Sequence, residues 1–266
     1  MKANKVKRAL EHGGVAMGTM MLEFNTTGIA RIAAEAGAEF AVFDMEHTGW
    51  SMETIRMLMA SSGGADIVPI VRVPTLEYHF ISRILDVGAM GVVVPFVSSE
   101  EQARQIVSHA KYPPEGRRGV AFAVAHDGYR GGNLVTKMRR ANEEVMLIAQ
   151  IENADGLEHA DRIAAVDGID ALWIGQFDLS TSLGIPGRFD HRFFQEATRK
   201  VVEACRKHGK TAVLGATDAE ALSRGPVDGF RMLVYLTDIW IYQQGLRQCF
   251  GTIQSALTHQ AKHHHS

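Results

Sequence analysis

The chain has 266 residues, 46% of them hydrophobic and 22% charged, with a formal net charge of −2. Those proportions fit a folded globular chain whose length suits one α/β barrel, and they exclude the basic stripe of a nucleic-acid binder. No apolar stretch reaches the roughly 18 residues of a membrane span, and the basic start runs into Glu11-His12-Gly13-Gly14 rather than a signal-peptide core, so a cytoplasmic protein without nucleic-acid or membrane partners is expected.

Short apolar runs, β-branched in part, alternate with stretches of helical periodicity, which is the pattern of repeated βα units. In chain order, strands are expected at 15–21 and 40–44 with a helix at 27–36 between them, then a helix at 52–61. Strand 67–73 leads to helix 76–87, strand 91–95 to helix 100–110, and strand 145–152 to helix 156–166. Strand 171–175, helix 192–208, strands 211–215 and 229–234, and a last helix at 238–256 complete the series. Eight strands point to a closed (β/α)₈ barrel in one domain, 1–260. A doubly wound open sheet would want a Gly-x-Gly-x-x-Gly turn after an early strand, and none is present. The connection 111–144, with Pro113-Pro114 and Gly131-Gly132, exceeds a plain βα link and is expected to be a lid or a subunit contact. Cys205 and Cys249 lack metal-ligand spacing and read as structural. Residues 261–266 read as a tag remnant, so their histidines are excluded from the site.

In a barrel, side chains at the C-terminal ends of strands line one mouth. The second strand ends in Asp44-Met45-Glu46-His47, the third in Arg72, and the fifth in Gln150-Ile151-Glu152, while the sixth runs into Gly175-Gln176-Phe177-Asp178. A single charged residue after a strand is usually a solvated cap. Glu152 and Asp178, however, follow apolar strands on consecutive units, so their carboxylates can approach a common point. Two carboxylates without histidine or thiolate partners suit a hard, octahedral cation that keeps positions for water and substrate: magnesium or manganese first, cobalt or zinc as substitutes. No strand end carries the lysine that a Schiff-base aldolase needs.

The segments Phe43-Asp44-Met45-Glu46-His47, Val71-Arg72-Val73-Pro74, Leu85-Asp86-Val87-Gly88-Ala89, the run from Tyr112 to Val120, Ile151-Glu152 and the run from Ile174 to Ser180 follow one another along the chain. Together they resemble the HpcH/HpaI aldolase family. The resemblance implies a metal-dependent pyruvate aldolase on a barrel, assembled as a homohexamer with the last helix exchanged between paired subunits. It implies further that Glu152 and Asp178 hold the metal, that Arg72 contacts the keto oxygen and the enolate, and that Asp44 and His47 form an acid/base pair. Gln150 would lie beside the metal, and Asp86 would reach a neighbouring subunit's site. Two departures stand out. Phe177 replaces a smaller or more polar residue, so a tighter or more apolar pocket floor is expected. Beyond about residue 212 the match fades, which leaves Gly215-Ala216-Thr217-Asp218 and Tyr235-Leu236-Thr237-Asp238 without a role.

The residue types carry a consistent chemistry. Taking a methyl proton from pyruvate requires stabilising the charge that forms on the keto oxygen; a divalent cation does so as a Lewis acid, and Arg72 as a permanent charge with a rigid donor fork. Backbone N–H groups around Gly175 to Asp178 would hold the substrate carboxylate. His47 is the expected proton carrier, with Asp44 orienting its ring. Arg118, in Gly116-Arg117-Arg118-Gly119, would either close over the aldehyde or anchor the long connection. The expected reaction is cleavage or formation of 4-hydroxy-2-oxo acids from a 2-oxo acid and an aldehyde. The alternatives are a citrate- or malyl-thioester-type lyase, and a non-catalytic 2-oxo acid binding protein.

Overall fold

The computed structural model describes residues 2–263, and its sheet closes on itself in sequence order with every neighbouring pair of strands parallel. The strands are β1 Ala16–Met21, β2 Phe40–Asp44, β3 Val68–Arg72, β4 Gly91–Val94, β5 Met146–Ile151, β6 Ala171–Ile174, β7 Thr211–Ala216 and β8 Phe230–Thr237. The α-helices are α1 Lys5–Glu11, α2 Ile29–Glu35, α3 Met52–Ser62, α4 Tyr78–Asp86, α5 Glu100–Ala110, α6 Leu134–Glu144, α7 Ala154–Glu158, α8 Ala160–Ala164, α9 Gln176–Ser182, α10 Arg192–Lys207, α11 Ala219–Arg224 and α12 Asp238–His263. This is the expected (β/α)₈ barrel, and the eight expected strands each fall on an observed one.

The two-residue period of a strand sorts the core into two clusters. Phe40, Val42, Val68, Ile70, Met146, Ile148, Ala171 and Trp173 fill the barrel interior, together with Val6 and Leu10 of α1, which closes the floor. Ala41, Phe43, Val71, Leu147, Ala149 and Leu172 alternate with them and pack outward against the helices. Gly18 is required by the first cluster, since a Cβ there would sit 2.5 Å from the Phe40 ring. The same parity decides the mouth. Continuing the inward series by two residues gives Asp44 on β2, Arg72 on β3, Gln150 and then Glu152 on and after β5, and Gly175 after β6.

The helices depart from expectation where they are short or polar. The long connection ends in a helix: an irregular stretch with one 3₁₀ turn, Ala125–Asp127, leads to α6, whose start is capped by the Asn133 side chain accepting from the Thr136 N–H at 3.0 Å. The expected helix at 156–166 is two helices that break at His159, whose ring bonds the Ser98 carbonyl at 3.0 Å. The helices α1, α9 and α11 were not expected. The last helix runs past residue 256 to His263, so 261–263 of the expected tag remnant prolong it, while 264–266 lie outside the described residues. It touches the barrel at β1 and β8 and leaves Tyr242, Phe250, Ile253 and Leu257 exposed.

Candidate active site

A cavity of about 300 Å³ opens at the C-terminal ends of the strands and is lined by His47, Arg72, Gln150, Glu152, Gly175, Phe177 and Asp178, among others. The sequence-predicted site residues of β2, β3, β5 and β6 therefore converge, as the barrel requires.

Asp44 and Arg72 are neighbours in register across β2 and β3. Both are buried, and the guanidinium donates through Nε and Nη2 to the two carboxylate oxygens at 2.8 Å each. Such a two-point fork fixes the plane of the guanidinium as well as its position. Burial opposes the charge on Arg72, but the bonds and charge of Asp44, with Glu46 and Glu152 nearby, raise its pKa further. Asp44 also accepts from the N–H groups of Glu46 at 2.9 Å and His47 at 3.3 Å. Its contacts thus go to Arg72 and the backbone, which corrects the expectation that Asp44 orients the His47 ring. The carboxylate nearest that ring is Glu46, whose Oε2 lies 3.7 Å from His47 Nε2 and 3.2 Å from Arg72 Nη1. Neither contact is aligned as a hydrogen bond, so Glu46 Oε2 is buried without one. Burial, with the charges of Asp44 and Asp178, pushes the Glu46 carboxyl up against the pull of Arg72 and His47.

Glu152 is buried, and its two oxygens accept one bond each, from the Phe96 N–H and from Gln150 Nε2, both at 2.9 Å. Phe96 delivers that N–H from a left-handed backbone conformation, φ 52°, unusual for a non-glycine residue. Gly175 is needed directly opposite, because a Cβ there would stand 2.3 Å from Glu152 Oε1. Burial, then the charges of Glu46 and Asp178, push the Glu152 carboxyl up to about 7, against the Phe96 bond and Arg72. Asp178, in the first turn of α9, is exposed.

This donor set fits a hard divalent cation. A buried carboxylate held against desolvation and like charge is the electrostatic complement of a cation, and Gln150 Oε1 beside it is buried without a partner. Among the described residues no group of three or more His, Cys, Asp or Glu side chains is placed for a metal. A pair of carboxylates leaves most coordination positions to water and substrate, as magnesium sites usually do.

Three expected residues sit differently. Phe177 is exposed at the rim, where its ring meets Phe189 and Trp240 edge to face, so it makes an apolar wall rather than a tighter floor. Asp86 and Arg118 do not line this cavity. Arg118 is buried, donates to Asp86 at 2.5 Å and lies over the Tyr112 ring. It borders a second cavity, of about 580 Å³, beside Met90 and Val145, which precede β4 and β5 and so mark the opposite end of the barrel. Within one chain, therefore, Arg118 anchors the long connection and does not close over an aldehyde here.

Six of the residues beyond 212 that the sequence left without a role now have places. Gly215, Ala216, Thr217 and Thr237 line the mouth cavity, and so does Trp240, which the sequence did not single out for the site. Asp218 caps α11 through the Ala221 N–H at 2.7 Å. Asp238 accepts from the N–H groups of Leu22, Glu23 and Phe24, tying the start of α12 to the loop after β1. No helix among the described residues is long and apolar enough to cross a membrane.

Comparison with known proteins agrees with this geometry. The family model described as HpcH/HpaI aldolase/citrate lyase matches residues 19–228. A hydroxypyruvate/pyruvate aldolase of Roseobacter denitrificans is 35% identical over 237 residues, covering 89% of this chain and 91% of its own. A 5-keto-4-deoxy-D-glucarate aldolase of Escherichia coli is 35% identical over 220 residues, 82% of this chain and 84% of its own. The crystal structure of an HpcH/HpaI aldolase from Desulfitobacterium hafniense superposes with a TM-score of 0.89 at 32% identity, covering 93% of this chain and 96% of that one.

Proposed function

The chain belongs to the HpcH/HpaI aldolase/citrate lyase family and is an enzyme of its aldolase class, and we propose that it forms the enolate of pyruvate or a close 2-oxo acid and adds it to an aldehyde, or runs the reverse cleavage. One bond forms, between the methyl carbon of the oxo acid and the aldehyde carbon. The proton lost from the methyl group ends on the aldehyde oxygen, giving a 4-hydroxy-2-oxo acid with nothing oxidised or reduced.

The observation that carries this reading is Glu152, a buried carboxylate pushed up to about 7 and set in the same cavity as Asp178 and Arg72. The family depends on a divalent metal. Glu152 and Asp178 would hold it, with magnesium or manganese favoured and cobalt or zinc as substitutes. When bound, such an ion polarises the keto group as a Lewis acid. Arg72, clamped in place by Asp44, offers a fixed charge to the oxygen that becomes negative. His47, half-exposed beside the cavity, carries the proton between methyl carbon and aldehyde oxygen, and Glu46 stands behind it. Gln150 and Gly175 complete the wall against which the oxo acid lies, and Phe177 stands at the rim where the aldehyde enters. Among the described lining residues the basic side chains are Arg72 and His47 alone, which leaves the phosphates of a thioester carrier without a cluster of partners in this chain and disfavours the thioester-lyase alternative.

A cytoplasmic homohexamer belongs to the same reading. The exposed apolar residues of α12 would pack on a paired subunit, and Asp86 would approach a neighbour's cavity. The direct test is deuterium exchange into the methyl group of pyruvate, followed by NMR. Exchange should appear with Mg²⁺ or Mn²⁺ and vanish with chelator; full exchange in chelated enzyme sinks the scheme.

A further inference from the structure

The mouth cavity is divided by chemistry. On the side of β2, β3, β5 and β6 stand His47, Arg72, Glu152 and Asp178, whereas on the side of β1, β7 and β8 stand Met20, Leu22, Ala216 and Val234, relieved only by the hydroxyls of Thr217 and Thr237. Above the apolar side, the Phe177 ring meets Trp240 at 6.4 Å and Phe189 at 5.3 Å, both edge to face. Phe177 keeps 51% and Trp240 40% of its surface exposed. Rings that brace one another in this way form a standing apolar surface, ready to bury a ligand's apolar group at little ordering cost. Neither lysine nor arginine lines this side among the described residues. A carboxylate entering it would shed water without meeting a counter-charge.

We propose that this apolar side is the acceptor subsite, that it selects uncharged aldehydes bearing an aromatic or longer aliphatic group, and that Trp240 is a specificity-determining residue. The assignment rests on the aldolase reading above. The oxo acid occupies the charged side, where Arg72 and the carboxylates are, and the substituent of the aldehyde lies under Phe177 and Trp240.

The test uses Mn²⁺-loaded enzyme with pyruvate as donor and propanal, hexanal, phenylacetaldehyde, glycolaldehyde and glyoxylate as acceptors. The value of kcat/KM should rise from propanal to hexanal by up to about fourfold per methylene, and both hexanal and phenylacetaldehyde should exceed glyoxylate by about tenfold or more. Trp240→Gln should cut the hexanal-to-glycolaldehyde ratio about tenfold, chiefly through the aldehyde KM, while Trp240→Phe should keep most of it. A wild-type preference for glyoxylate, or a ratio unmoved by Trp240→Gln, overturns the proposal. Pyruvate deuterium exchange in the absence of aldehyde separates the two levels. Exchange without the apolar preference removes the subsite alone, and absence of exchange removes the aldolase reading and the subsite with it.

Discussion

At the floor of the barrel, Asn4, Lys7 and Glu144 are buried and answered group for group. The Asn4 N–H donates to Glu144 Oε2 at 2.6 Å, its amide nitrogen donates to the carbonyls of Met90 and Glu144, and its amide oxygen accepts from the Lys7 N–H. Lys7 Nζ reaches the Val145 carbonyl at 2.8 Å and Asp170 at 3.0 Å, and Arg8 pairs with Glu144. At the mouth, Glu46 Oε2 and Gln150 Oε1 are buried without hydrogen bonds, and Glu152 has two neutral donors but no bonded cation. Buried polar groups are nearly always satisfied in folded proteins. The Asn4–Lys7–Glu144 cluster follows that rule and so reads as stability, although Arg118 Nε, His126 Nδ1 and Asp127 Oδ1 of the long connection, at the same end, do not; the mouth breaks it beside the chemistry, and there the missing partners are what a cation and an oxo acid would supply.

Breaking the mouth should therefore cost activity, and it should give the largest effects. His47→Ala is expected to slow pyruvate exchange by about 10²- to 10⁴-fold if the imidazole carries the proton, while calorimetry shows Mn²⁺ affinity nearly intact. Arg72→Ala should lower exchange by about 10²- to 10³-fold even with metal saturating, and should also cost stability because Asp44 is left buried without its fork. An unchanged exchange rate in both variants would remove the roles given to these side chains. Breaking the floor should do the reverse. Lys7→Met removes the cation from Asp170, which keeps the Leu147 N–H, and leaves the Val145 carbonyl without this donor, so unfolding should become easier by about 2 kcal/mol. Turnover per folded molecule should stay at the wild-type level, and a parallel loss of turnover would mean that floor and mouth are coupled.

The fold was legible because each strand is an apolar run bounded by turns, and the inward parity of β2, β3 and β5 carried Asp44, Arg72, Gln150 and Glu152 to one rim without further information. The helices α1, α6, α9 and α11 were not legible: they are short, or polar on most sides, so few apolar residues recur at helical spacing. Within the site, the identity of its residues was readable but their pairing was not. Asp44 is three positions from His47, an appealing partner by spacing, yet the register of β2 against β3 gives its carboxylate to Arg72. Trp240 is far from Phe177 in sequence and arrives because β8 carries the start of α12 to the mouth, where Asp238 ties it to the loop after β1. No local pattern announces either contact.

The comparison is sharpest at Glu152, where stability and function should pull in opposite directions. The folded-state pKa of this carboxyl is raised from 4.5 to about 7, by burial first and by Glu46 and Asp178 next. A carboxyl with a raised folded pKa favours folding while it keeps its proton, so its contribution is fully present below about pH 4.5 and is lost as pH rises through about 7. Metal-free enzyme should accordingly lose on the order of 2 kcal/mol between pH 5 and pH 8 from this group, after a discount for its partial solvent access. Glu152→Gln should abolish most of that slope. The introduced amide can accept the Phe96 N–H with its oxygen and donate to Gln150 Oε1, which now lacks a partner, once the Gln150 amide turns over. In thermal unfolding with chelator at pH 8 the variant should thus be the more stable protein, and at pH 5 the two should nearly coincide. Saturating Mg²⁺ should reverse the order at pH 8, because the wild type gains the binding free energy and the variant, with one anionic ligand of two removed, gains little. If the two proteins unfold in parallel across this range in the absence of metal, Glu152 is as well satisfied as the floor residues, and the contrast between the ends of the barrel does not hold.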